Sequence, residues 1–380
     1  MEDVSITKCS SYEYSKVYSG ILSLLEPLGG IAAFVDKGEL ILLKPNMLSG
    51  KLPEQAVTTH PMVVRVVADM VCQAGGTVLI GDSPGIGSFR KVAARSGIAA
   101  AAKESGSELV DFDDVLEVRG SGTFRRLSIA RAYWEADKVI NLPKLKTHEM
   151  MTMTCAVKNL FGAVVGAEKA GWHLKAGASR EQFARLLLEI YLLKKPVLNI
   201  VDGIIAMEGN GPGSGDPIQL GIMIAGINPV AVDVVAGRLA GLPSDMLYIE
   251  REAAGMKLPG SSLDEIVICG TPLEQVKHRG FRLPAGLDAQ FGLPGFLKKA
   301  LKRYLTSYPV AGKNCLLCGI CRDACPPEAI TIINSALSVD NARCIRCWCC
   351  RELCPHDAME VKKGLLLRLY NGLLSGKRSR

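Results

Sequence analysis

The chain has 380 residues, 48% of them apolar, with a formal net charge of +7 and a mean hydropathy of +0.20. That is length enough for two or three domains with buried cores. No run of about 18 uncharged apolar residues occurs, so no membrane-spanning helix is expected. The opening "MEDVSITKCSSYEYSK" has no basic region leading into an apolar run, so no secretory leader is expected and the reading is of a cytoplasmic protein.

In chain order, "ELILLKPN" predicts a buried strand ending at Asn46. "THPMVVRVVADMVCQAGG" predicts a helix with Pro61 in its first turn and Gly75–Gly76 beyond its end. "TVLIGDSPG" reads as the next strand, stopping at Asp82, and "DKVINLPK" as another. "SREQFARLLLEIYLLKK" opens with a capping box, Ser179 to Gln182. "PVLNIVDGI" and "IQLGIMIAG" are further strands, the second followed by a helix at "NPVAVDVVAG". Strand and helix alternate, so residues 1–275 read as an α/β domain with a parallel sheet and helices on both faces.

These strands end in polar residues: Lys44 and Asn46, Asp82 and Ser83, Lys144 and Lys146, Asp202. Open parallel sheets bind ligands in the crevice beyond the carboxyl ends of their strands. One wall of that crevice is "NLPKLKTHEMMTMTCAVKNLFG", which adds His148, Lys158 and Asn159. So many lysines predict a small anionic substrate held by point charges; the competing reading has each lysine solvated or ion-paired. The glycine-rich "VDGIIAMEGNGPGSGDP" adds Glu208 and can bring backbone N–H groups to an anion or carboxylates to a metal. It lacks the Gly-Lys-Ser/Thr of a nucleotide P-loop, and no dinucleotide fingerprint follows a strand.

Residues 276–312 read as a linker broken by Pro and Gly that carries a basic helix, Phe296, Leu297 and Leu301 on one side and Lys298, Lys299 and Lys302 largely opposite. Docking of the C-terminal module is the first reading of that helix; an anionic membrane surface or an acidic redox partner is the second. From Leu293 onward Lys and Arg outnumber Asp and Glu by 15 to 6, whereas the first 292 residues are slightly acidic. The basic region lacks interleaved stacking aromatics, so a nucleic-acid partner ranks last. Residues 364–380 form a basic tail.

Nine of the 13 cysteines lie between Cys315 and Cys354. In a reducing compartment such a density points to metal rather than disulfides. "CLLCGICRDACPPEAI" and "CIRCWCCRELCPHDAM" each hold Cys-x2-Cys-x2-Cys-x3-Cys-Pro. This double run resembles the bacterial ferredoxin with two [4Fe–4S] clusters, so residues 313–363 are expected to form a small α+β ferredoxin-like domain. The resemblance implies a crossed ligand set: Cys315, Cys318, Cys321 and Cys354 for one cluster, Cys344, Cys347, Cys350 and Cys325 for the other. Zinc is the alternative metal, and Cys349 is a surplus thiol.

"LLKPNM", "TTHPMVV", "IGDSPG", the Asn141–Gly162 stretch, "WHL", "VDGIIAMEGNGP" and "INPVAVD", in this order, resemble the family catalogued as domain of unknown function 362. That resemblance implies a family-wide pocket and an iron–sulfur partner without naming a reaction. A smaller likeness is to lactate racemases of the nickel-pincer type, in the order His148, Lys158, His173, although "MTCAVK" stands where those enzymes place a glycine-rich run.

Together these readings predict an iron–sulfur oxidoreductase that passes electrons between a redox partner protein and a ligand in the α/β pocket. Lys44, Asn46, Asp82, Lys144, Lys146, Asn159, Asp202 and Glu208 are the expected substrate contacts. His148, Lys158, His173 and His60 are the expected catalytic groups. The alternatives are a binding or assembly protein without turnover, and a racemase- or lyase-like enzyme with structural clusters.

Overall fold

The computed structural model describes residues 1–165, 169, 171–172, 176, 179–278, 281–284 and 307–364. His173, the basic helix expected within 276–312 and the tail beyond residue 364 lie outside the described residues.

The strands are β1 (Glu2–Lys8), β2 (Leu40–Pro45), β3 (Thr77–Asp82), β4 (Glu108–Asp111), β5 (Val115–Arg119), β6 (Arg126–Ala130), β7 (Lys138–Leu142), β8 (Lys144–His148), β9 (Thr152–Thr154), β10 (Leu198–Glu208), β11 (Asp216–Gly226) and β12 (Ile266–Gly270). The main sheet runs β12-β1-β11-β10-β7-β2-β3-β4, with β8 on β10 and β9 on β8. Pairings from β10 through β7, β2 and β3 to β4 are parallel. The expectation of a parallel sheet needs correcting at two places, and at the first β9 is antiparallel to β8. At the second, β11 is antiparallel to both β10 and β1, because the Gly209–Gly215 loop is too short to hold the crossover that a parallel connection requires.

Alternation along β2 shows why both faces are covered. Ile41 and Leu43 enter a core with Val17, Ile21 and Leu24 of the Tyr14–Leu25 helix and Val63, Val64 and Val67 of the Pro61–Gln73 helix. Leu42 enters a second core with Phe183, Leu186 and Leu187 of the Arg180–Leu193 helix. Side chains of a strand alternate between faces, so each face needs its own helical layer. The helices begin where side chains satisfy their first amides: Ser179 Oγ accepts from Gln182 N at 3.2 Å and Asn228 Oδ1 from Val230 N at 2.9 Å.

The C-terminal region folds around two small antiparallel pairs, β13 (Ser307–Ala311) with β16 (Met359–Lys363) and β14 (Ile330–Ile333) with β15 (Ala336–Val339). Two one-turn helices, Ile320–Asp323 and Cys349–Glu352, lie against each other. Trp348, 1% exposed, belongs to the second core of the main domain and so ties the two parts together.

Candidate cofactor and ligand sites

The two cysteine runs repeat in backbone as well as in sequence. Leu317 and Arg346 have φ of 54° and 59°, Gly319 and Trp348 82° and 66°, Glu328 and Asp357 both 49°. Non-glycine residues avoid this region unless the surroundings require it. Its recurrence at matched positions means that both runs are wound in the same tight way, which points their cysteines inward. One small cavity is lined by Cys315, Cys318, Cys321 and Cys354, and a second by Cys325, Cys344, Cys347 and Cys350. Among the described residues no group of three or more His, Cys, Asp or Glu stands close enough for a single metal ion.

The fit of these cavities to a sulfur-rich cluster can be read from their donors. Ala329 N donates to Cys325 Sγ and Ala358 N to Cys354 Sγ, each at 3.2 Å. Such N–H···S bonds favour the thiolate and are a usual means of tuning a cluster. Trp348 borders the second cavity, and its buried indole N–H has no acceptor among the described residues; a sulfide edge would supply one.

A larger cavity of about 560 Å³ lies between the sheet and this region. Its floor includes Asn46, Asp82, Lys158, Asn159 and Lys169 from the main domain. Its roof is the matched pair of one-turn helices, with Ile320, Asp323 and Ala324 from one and Cys349, Glu352 and Leu353 at or beside the other. Ile320 also borders the first cysteine cavity and Cys349 the second.

Behind the floor runs a line of buried polar bonds. Lys146 Nζ donates to Asn46 Oδ1 at 2.8 Å and to the Val57 carbonyl at 2.7 Å. Asn46 Nδ2 donates to Asn159 Oδ1 at 2.9 Å, Asn159 Nδ2 to Asn141 Oδ1 at 2.8 Å, and Asn141 Nδ2 to Asn199 Oδ1 at 2.8 Å. Burial, with Lys158 nearby, pushes Lys146 down to about 7. Lys44 pairs with Asp82 at 2.8 Å, and Asp82 also accepts from Met47 N at 2.8 Å. Gly162 is required beside that pair, since a side chain there would collide with both Asp82 and Lys44.

Lys158 differs from its neighbours. Its ammonium lies over the rings of Phe161 at 4.9 Å and Phe183 at 5.7 Å, and has no hydrogen bond or ion pair among the described residues. Burial holds its pKa below the usual lysine range. Lys169 donates to the Ser83 carbonyl and is pushed down to about 7 by burial.

Of the sequence-expected residues, Asn46, Asp82, Lys158 and Asn159 line the cavity, while Lys44, Lys146 and His148 stand one layer behind it. Lys144, Asp202 and His60 are gathered elsewhere: Lys144 Nζ bonds Asp202 Oδ2 at 2.8 Å, Tyr12 stacks on His60 at 3.5 Å, and Tyr12 donates to Asp202 at 2.7 Å. Glu208 is taken by Arg282 at 2.6 Å. The physical reason is shared, because an ammonium or carboxylate removed from water needs a partner at hand, and folding supplied one inside the chain. Lys169, Glu352 and Leu353 were not read as site residues. Only Cys349, as a thiol too many, carried a signal.

These features define an α/β protein with a ligand-sized cavity roofed by a duplicated, cysteine-rich module. The chain belongs to the family described as domain of unknown function (DUF362), whose model matches residues 41–238. It is 37% identical over 313 residues to the thylakoid-associated protein sll1697 of Synechocystis sp., covering 80% of this chain and 95% of that protein. Among solved structures it shows a likeness to the lactate racemase apoprotein from Thermoanaerobacterium thermosaccharolyticum, at a TM-score of 0.37 and 12% identity over 60% of this chain and 54% of that one; that is too low to transfer fold or chemistry. No helix among the described residues is long and apolar enough to cross a membrane.

Proposed function

We propose that the protein is an iron–sulfur oxidoreductase that carries single electrons through two [4Fe–4S] clusters to a small anionic ligand held in the cavity beneath the cysteine module. The observation that carries this reading is that one cavity is walled both by Lys158 and Asn159 and by Ile320 and Cys349, residues that also border the two cysteine-lined cavities. A ligand there would sit one side chain away from either cluster. The clusters would be held by Cys315, Cys318, Cys321 and Cys354, and by Cys325, Cys344, Cys347 and Cys350, and would supply one-electron chemistry.

The chain's own residues have separate tasks. Lys158 and Lys169 attract the anion, the asparagine line keeps the floor rigid, and Leu48, Ile86 and Leu353 exclude water. His148 holds Glu352 of the roof in place. Electrons would enter from a redox partner protein. The reading places the protein in the cytoplasm, with contact at a membrane surface as the second possibility.

The test is made on anaerobically purified protein: iron and sulfide are assayed and EPR is recorded after dithionite reduction. About eight iron and eight sulfide per chain, with two interacting reduced clusters, is the expected result. Zinc in place of iron, or clusters that do not reduce, would end the redox reading.

A further inference from the structure

The polar groups of the cavity are unevenly committed. Asp82 is held by Lys44 and by Met47 N, each at 2.8 Å, Asp323 pairs with Arg322 at 2.8 Å, and Glu352 stands 3.0 Å from His148. The amides of Asn46 and Asn159 are spent on each other and on their neighbours. What remains is cationic: Lys158 has no polar partner among the described residues, and Lys169 has a neutral carbonyl. A desolvated ammonium without an anion in direct contact is costly, and among the described residues Glu352, Cys349 and Asp82 act on Lys158 only from a distance, which leaves room for a bound anion.

The type of anion follows from what the cavity lacks. Lysine alone can meet a phosphate as a point charge, but built phosphate sites commonly add backbone N–H groups turned toward the ligand, or arginine. The glycine loop beside this cavity turns its amides away, since Gly85 N and Ile86 N both donate to the Leu48 carbonyl, at 2.9 and 3.2 Å. No arginine is among the described lining residues. Two ammonium groups suit the two oxygens of a carboxylate. The other walls are apolar, with Leu48, Ile86, Phe161, Ile320 and Leu353, and 560 Å³ is room for far more than a carboxylate alone.

We infer that the ligand is a hydrophobic carboxylic acid, its carboxylate between Lys158 and Lys169 and its apolar body along Leu48, Ile86, Ile320 and Leu353. This rests on the cavity being the ligand site of the proposed function, and it adds the chemical class of ligand.

The test is calorimetric titration of the anaerobic full-length protein with four probes: octanoate, 4-phenylbutyrate, octanamide and inorganic phosphate. The two carboxylates are expected to bind. The neutral amide and phosphate are expected to bind at least about tenfold more weakly, as is octanoate to Lys158→Gln, while Lys158→Arg restores binding. Phosphate binding as tightly as octanoate, octanamide matching it, or Lys158→Gln without effect would each overturn the inference, as would no binding of either carboxylate to folded protein. Carboxylate binding by a protein without reducible iron would keep this inference and remove the redox reading. Reducible clusters without carboxylate binding would do the reverse.

Discussion

His148 Nε2 stands 3.0 Å from Glu352 Oε1, which joins β8 of the main sheet to the short helix Cys349–Glu352. His148 Nδ1 already accepts from Met150 N at 3.1 Å and Met151 N at 3.2 Å, so the ring proton is on Nε2 and faces the glutamate. Burial holds the imidazole below its usual pKa, so a neutral ring meets the carboxylate at 3.0 Å without the alignment of a hydrogen bond. The next residue on each side repeats the connection, with Arg351 pairing Glu149 in a nearly dry setting. Glu149→Ala should cost about 3–5 kcal/mol, because it strands Arg351. Glu149→Leu with Arg351→Met should recover most of the loss. Urea midpoints of the three proteins check this, and equal midpoints for the single variant and wild type would sink it.

The Lys144–Asp202 pair allows an asymmetric prediction. Asp202 keeps Tyr12 Oη at 2.7 Å and His60 N at 2.9 Å if the lysine is lost. Lys144 keeps only the Tyr12 oxygen at 3.0 Å if the aspartate is lost. Asp202→Ala should therefore destabilise by about 3–5 kcal/mol and Lys144→Met by roughly 1–3 kcal/mol. If Lys144 instead bound ligand, Lys144→Met would leave thermal stability intact and weaken binding.

His60 is stacked on Tyr12, and burial pushes it down to about 4. Between about pH 6.5 and 4 the unfolded chain binds a proton that the folded state refuses, so this residue lowers stability as the pH falls through that window. His60→Asn keeps an acceptor for Met62 N, which His60 Nδ1 now bonds at 3.2 Å. The difference in melting temperature between wild type and His60→Asn should shift toward the variant on going from pH 7 to pH 4.5. A pH-independent difference would contradict the assignment.

Asp233 shows the opposite sign. Its carboxylate accepts from Ala156 N at 2.6 Å and Val157 N at 3.2 Å, which fixes the short helix carrying Lys158 and Asn159. Burial raises its pKa to about 7. The folded state holds a proton that the unfolded chain releases above about pH 4, so its stabilising contribution declines as the pH rises toward 7. Asp233→Asn should flatten that part of the stability profile in thermal melts across pH 4.5 to 8. An unchanged slope would count against it.

Cys349 and Cys350 are adjacent, yet only Cys349 borders both the second cysteine cavity and the large one. On the proposed function, Cys349→Ser should keep about eight iron per chain and Cys350→Ser should lose close to half of it. Iron analysis after anaerobic purification decides between them, and equal losses would mean that the two thiols exchange as ligands.

Much of the fold was legible beforehand because its signals are local. Pro61 opens a helix, Ser179 caps another, and "LILL", a short apolar run between Glu39 and Lys44, forms the expected strand. The crossed grouping of the cysteines came from the resemblance to a two-cluster ferredoxin and not from the spacing by itself; each of the two small cavities has one of those sets of four in its lining. What sequence could not decide is which charged side chains of "NLPKLKTHEMMTMTCAVKNLFG" find partners. Lys144, Lys146 and Lys158 look alike in sequence, but their fates depend on Asp202, Asn46 and the rings of Phe161 and Phe183, residues brought beside them by pairing of β8 with β10 and by helix packing. The roof of the cavity, from Ile320 onward, lies far downstream of its floor, which ends at Lys169, so no window along the chain contains both. Residue types and spacing determined the elements and the candidate cluster ligands; the tertiary structure alone decided which cation has no anion in contact among the described residues, because charge compensation is a property of neighbours in space.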